Sequence, residues 1–96
     1  MITEIAYYEI KPGTEAEFEA TVRKNVHLLR RAKGCRGLTL HRSIQKPQRY
    51  WIVVQWDTVE NHSVDLPITE DFKVWRDHLR PFFTSPPQLE YTNPVL

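Results

Sequence analysis

The chain has 96 residues, a net charge of +1 and one cysteine, Cys35. That length gives one domain, residues 1–96, with a modest core, and chains this small commonly cover leftover apolar surface by oligomerising. The longest apolar run, Tyr50 to Val54, is far too short to cross a bilayer. A lone cysteine excludes an intrachain disulfide and a cysteine-built metal cluster. Met1-Ile2-Thr3-Glu4 lacks the basic and apolar regions of a signal peptide, so the expected location is cytoplasmic.

The near-zero net charge hides a segregation. No acid occurs between Glu19 and Asp57, while basic residues recur from Arg23 to Arg49. Such a run is either a field for an anionic ligand or a solvated helix face whose cations suit the helix C-terminus. It lacks the interleaved aromatics that single-stranded nucleic acid requires, so nucleic acid is not an expected partner.

In chain order, residues 2–10 read as a strand. Ile2, Ala6, Tyr8 and Ile10 share one parity, and Ile5 and Tyr7 the other, so both faces carry bulk. Lys11-Pro12-Gly13 is a turn. Thr14 and Glu17 have capping-box spacing for a helix whose buried stripe is Phe18, Val22, Val26 and Leu29, with Gly34 beyond its end. Leu38, Leu40, Arg42 and Ile44 alternate with Thr39, His41 and Ser43 as a second strand. Tyr50 to Trp56 is apolar on both parities, the pattern of a central strand covered on both sides. Asp57 and Glu60 are spaced to cap a short helix near residues 58–65, which Leu66-Pro67 ends. Thr69 caps a second helix with the stripe Phe72, Trp75 and Leu79, and Pro81 stops it. Ser85-Pro86-Pro87 is a stiff extended link, and Leu89 and Tyr91 belong to a last strand.

The order β-α-β-β-α-β is the split pattern of an α+β, ferredoxin-like fold with an antiparallel sheet and both helices on one face. The opposite face then has no cover within the chain. The simplest cover is a second copy, giving a homodimer that pairs two sheets into a dimeric α/β barrel. The stiff Pro86-Pro87 strut is expected to send the chain after it across to the partner.

The sequence resembles the antibiotic biosynthesis monooxygenase family over nearly its whole length. The marks are Lys11-Pro12-Gly13 leading to Phe18, Gly34-Cys35-Arg36-Gly37, Tyr50 to Trp56, Glu60-Asn61-His62, Phe72, Trp75-Arg76, Pro81-Phe82-Phe83 and Pro86-Pro87. The resemblance implies a small dimeric α/β barrel, in a family that includes cofactor-free oxygenases, haem-degrading enzymes, isomerases and members without known activity. The haem-degrading branch carries an Asn on its first strand, where this chain has Ile5-Ala6-Tyr7-Tyr8. The polyketide oxygenases pair an Asn with a Trp one helical turn later. Asn61 matches that Asn, and the residue four later is Asp65.

Oxygenation without metal or flavin needs a substrate that supplies electrons itself, a base to ionise it, and a dry pocket to hold the anion. His62 is the base candidate, its ordinary pKa being suited to proton transfer near neutrality. Asn61 is a candidate hydrogen-bond donor to a substrate oxygen. Arg76 would neutralise a phenolate or carboxylate, or else form an ion pair with Asp77 or Glu70. Trp56, Phe72, Trp75, Phe82 and Tyr8 suit a flat ligand, with His78 one turn from Trp75, although each aromatic serves equally as core. The expected pocket lies between the sheet and the two later helical segments, with His62 at its polar end. No His, Asp or Glu spacing makes a metal set, and the three glycines form no phosphate loop, so neither metal nor cofactor is expected. Two functions follow: a cofactor-independent monooxygenase of an aromatic, quinol or polyketide-like substrate, or a ligand-binding, stress-related dimer without turnover.

Overall fold

A computed structural model describes residues 1–96. Four strands, β1 (Ile2–Glu9), β2 (Cys35–Arg42), β3 (Arg49–Trp56) and β4 (Gln88–Thr92), form one antiparallel sheet in the order β2-β3-β1-β4. The helices are α1 (Glu15–Asn25), α2 (His27–Arg30) and α3 (Glu70–Leu79). This is the ferredoxin-like α+β fold that the alternation of elements predicted.

The two inner strands explain the core. β1 and β3 pair with Ala6 opposite Ile52 and Tyr8 opposite Tyr50, so even-numbered residues of both strands share one face. That face is packed under the helices: Tyr50, Ile52, Val54 and Trp56 are buried, against Phe18 and Val22 of α1 and Trp75 and Leu79 of α3. Burying an apolar side chain of this size stabilises by roughly 1.5–3 kcal/mol, so these residues hold the layers together. The odd-numbered face, with Ile5, Tyr7, Trp51 and Val53, stays half-buried because no element of the chain lies over it.

Several local expectations change. The long helix divides at Val26, where the Asn25 side chain donates to the Thr21 carbonyl at 2.8 Å and competes with the helix ladder. The Thr14 hydroxyl does not cap α1; it donates back to the Lys11 carbonyl at 2.6 Å. Asp57 does not cap the next turn either, because Arg36 holds it in a bidentate pair at 2.7 and 2.9 Å. The cap is made instead by Thr58 and Asn61. The Thr58 N–H donates to the Asn61 side-chain oxygen at 3.1 Å, and the Asn61 N–H to the Thr58 hydroxyl at 3.2 Å. Thr69 caps α3 as expected, accepting from the Phe72 N–H at 3.1 Å. The backbone of residues 88–92 is paired with β1 of the same chain.

The basic run finds its acids across space. Arg31 pairs with Asp71, Arg36 with Asp57, Arg42 with Glu19 and Arg49 with Glu9. These pairs are largely solvent-exposed, so each contributes little to stability, but together they spend much of the positive charge that the sequence concentrates.

Candidate active site

The chain between Trp56 and α3 positions the site. Residues Asn61–Asp65 form a π-helical turn, closed by the Leu66 N–H bonding the Asn61 carbonyl at 3.1 Å. π turns of this kind often mark functional positions because they re-aim one side chain without ending the helix. Here the Asn61 side chain packs on Gly34 and donates to Asp65 at 3.1 Å, while the next residue, His62, turns toward the sheet.

Beneath this turn lies a cavity of about 590 Å³, open to solvent on one side, between the sheet face and α3. Its floor is Ala6, Tyr8, Ile52 and Val54, and its helix wall is Phe72, Trp75 and Leu79. Phe83 and the stretch Thr84-Ser85-Pro86-Pro87 close the side next to β4. The size and largely apolar lining fit a drug-sized molecule.

The acidic and basic side chains of the cavity sit at two places. Arg76 and Arg80 lie on the α3 side. Arg76 also donates to Asp77 at 3.3 Å, the ion pair that one of its sequence readings expected. At the other place are Glu4 and His62. Glu4 is buried, and its Oε1 accepts from the Trp56 indole N–H at 2.9 Å. Its Oε2 lies 3.3 Å from Nε2 of His62, whose Nδ1 is 2.6 Å from the Tyr91 hydroxyl of β4. Burial pushes the Glu4 carboxyl above its ordinary range, and the indole hydrogen bond draws it partly back. Burial also holds His62 below its ordinary value, so the neutral ring is favoured near neutrality.

Of the residues singled out from sequence, His62, Arg76, Phe72, Trp75 and Tyr8 are brought to one cavity. The others lie elsewhere. Trp56 is fully buried behind the site, with its ring 5.6 Å from His62. Asn61 is spent on the turn, as described. His78 is exposed on the outer side of α3. Phe82 is core, edge-on to Phe18 at 5.5 Å, and its neighbour Phe83 lines the cavity instead, stacked on Tyr8 at 5.0 Å. Sequence reasoning missed Glu4 and Tyr91. Glu4 carried a readable signal, a charged residue on the apolar parity of an inner strand, between Ile2 and Ala6.

A four-stranded ferredoxin-like sheet with an apolar cavity under its helices is the architecture of a class of small α+β proteins. Residues 1–65 match the family model for antibiotic biosynthesis monooxygenase, and the chain belongs to that family. The fold matches the crystal structure of a candidate antibiotic biosynthesis monooxygenase from Bordetella bronchiseptica at 48% identity, with a TM-score of 0.95, covering 99% of this chain and 97% of that one. SnoaB, a cofactor-independent oxygenase from Streptomyces nogalater, shares the fold at a TM-score of 0.82 and 20% identity, covering 99% of this chain and 93% of its own. An uncharacterized Bacillus subtilis protein, YczJ, is 28% identical over 95 residues, which is 99% of this chain and 100% of that protein. No helix is long and apolar enough to cross a membrane.

Proposed function

We propose that this chain is a cofactor-independent monooxygenase that acts on a flat aromatic, quinol or polyketide-like substrate held in the cavity between the sheet and α3. The observation that carries the reading is the placement of one buried acid–histidine pair, Glu4 and His62, on an otherwise largely apolar cavity. Ionising a bound phenol or an anthrone-type methylene makes it a better reductant toward O2. One oxygen atom enters the substrate carbon. The other leaves as water with two hydrogens of the substrate, both from the methylene of an anthrone or one C–H and one O–H hydrogen of a phenol, and the substrate supplies the electrons. The apolar walls limit competing water.

The same reading takes the working unit as a homodimer joined through the helix-free sheet face, supported by the run of Ile5, Tyr7, Trp51 and Val53 there. It places the protein in the cytoplasm, where a lone cysteine needs no partner. The test is oxygen uptake against a panel of quinols and anthrones, with chelator present and no flavin added. Turnover that falls roughly a hundredfold when the acid–histidine pair is removed, in a chain carrying both Glu4→Gln and His62→Ala, is the expected result. Binding of the whole panel with no oxygen consumed would leave only a ligand-binding role.

A further inference from the structure

We propose that Glu4 is the group that takes the substrate's proton, and that His62 and Trp56 are positioning residues that hold its carboxylate toward the cavity. The inference rests on the oxygenase reading above and deepens it by naming the acceptor.

The first ground is the valence of the imidazole. A histidine ring has two nitrogens: Nδ1 is hydrogen-bonded to the Tyr91 hydroxyl at 2.6 Å, and Nε2 stands 3.3 Å from Oε2 of Glu4. Beside an ionised Glu4 only the Nε2–H tautomer fits, so the one basic nitrogen, Nδ1, is taken by the Tyr91 hydroxyl and none is left to accept a substrate proton. The second ground is the acceptor capacity of the carboxylate. Its two oxygens offer about four lone-pair positions; the Trp56 N–H uses one and His62 Nε2 lies 3.3 Å from the other oxygen, so positions remain open. Glu4 also lines the cavity directly, and the next residue on that face of β1 is Ala6, too small to screen it. The third ground is charge. A neutral imidazole that ionised a neutral phenol would create a cation and an anion in an apolar space. A carboxylate that does so only moves one negative charge from itself to the substrate, a smaller change in a poorly solvated site.

The step is a simple proton transfer. The substrate O–H bond breaks, or the acidic C–H bond of an anthrone-type methylene. The proton bonds to a Glu4 oxygen, and the electron pair stays on the substrate. Burial raises the proton affinity of Glu4 toward that of the weak acids it would ionise. The other titratable groups around it are His62, Tyr91, Tyr8 and Cys35, the last three feeling its negative charge, with Arg76 and Arg80 facing the same cavity from α3. The implied substrate is a flat, neutral, weakly acidic hydroxyaromatic or its keto tautomer.

The test uses a hydroxycoumarin, whose neutral and anionic forms absorb at different wavelengths, with the full chain and its Glu4→Gln and His62→Gln variants. Glu4→Gln keeps an oxygen to accept from Trp56. It should bind the neutral probe within about threefold of the parent while the ionised fraction of bound probe falls at least about tenfold, a shift of about one pKa unit. His62→Gln should retain ionisation and move only its pH midpoint. Infrared difference spectra of the unaltered protein should show a protonated carboxylic acid appearing as the probe binds, a readout that does not depend on any variant folding. Equal ionisation in the parent and Glu4→Gln, with loss only in His62→Gln, would overturn the assignment and make His62 the base. A parent chain that binds the probe without ionising it would also overturn it, leaving the oxygenase reading to the uptake assay. Failure to bind the probe, together with no oxygen uptake from any quinol, would remove the oxygenase reading and this inference with it.

Discussion

The indole N–H of Trp56 donates to Oε1 of Glu4 at 2.9 Å, tying the last residue of β3 to a buried acid on β1. In the register of the two strands Trp56 sits opposite Ile2, so the bond reaches diagonally to the next residue on the same face. A central strand ending in Trp thereby supplies both core volume and the one fixed donor that a buried carboxylate requires. The Trp56–Glu4 bond should be worth about 1–3 kcal/mol in a double-mutant cycle of Trp56→Phe with Glu4→Leu, read by urea denaturation. The cycle removes the separate cost of the lost indole volume. A coupling indistinguishable from zero would mean that Trp56 is packing alone.

Glu4 and His62 should impose opposite pH dependences on stability. Burial raises Glu4 above 4.5, so its contribution is present below 4.5 and is lost as pH rises through the folded value. Burial lowers His62 below 6.5, so its contribution is present above 6.5 and is lost as pH falls through the folded value. In His62→Gln the Glu4 effect is unmasked, and stability should fall as pH rises from 4.5. In Glu4→Gln the His62 effect remains, and stability should fall as pH drops below 6.5. Slopes of the same sign in the two variants, from urea melts across that range, would contradict the burial argument.

The fold was readable because hydrophobic phase changes cleanly along the chain. Two strands with bulk on both parities became the two inner strands, and Phe72, Trp75 and Leu79 became the packed side of α3. The site was less readable, because a side chain's role depends on what arrives from distant positions. Asn61 reads as a free amide on a helix, yet Gly34 comes against it from 27 residues earlier and Thr58 takes its oxygen. Phe82 and Phe83 are equivalent in sequence, and only the 3₁₀ turn at Arg80–Phe82 decides which enters the core. Glu4 was legible as an acid out of phase. Its neighbour His62, and the Tyr91 that holds His62, lie 58 and 87 residues away in the sequence and could not be placed beside it by spacing.

Gly34 and Asn61 should behave as one unit. Gly34 has φ +81°, and a Cβ there would fall 2.0 Å from the Asn61 side-chain oxygen. Gly34→Ala therefore costs the left-handed strain of about 1–2 kcal/mol and displaces an amide that makes hydrogen bonds of about 1 kcal/mol each. A total near 3 kcal/mol is expected from urea denaturation. In an Asn61→Ala background the clash is gone, so the added cost of Gly34→Ala should shrink to the backbone strain. Strict additivity of the two substitutions would show that they do not communicate.

The helix-free face leads to the last expectation, a homodimer. On that face Tyr7 meets Trp51 edge-on at 6.0 Å, Arg49 lies over the Tyr7 ring at 5.2 Å, and Ile5 is paired with Val53. The residues are half-buried by their own neighbours but have nothing over them, whereas helices lie over the opposite face of the same strands. A stable interface buries about 800 Å² per partner, and a four-stranded sheet face offers an area of that order. Two such faces related by a two-fold axis would each supply the other's cover. Val53→Glu or Trp51→Glu should therefore convert the protein to a monomer, because each buries a charge at the centre of the contact. Val74→Glu, on the exposed side of α3, should leave the assembly unchanged. Sedimentation velocity at about micromolar concentration distinguishes the cases. A parent chain that sediments as a folded monomer, or a Val53→Glu chain that remains dimeric, would show that the sheet face is not what joins the copies.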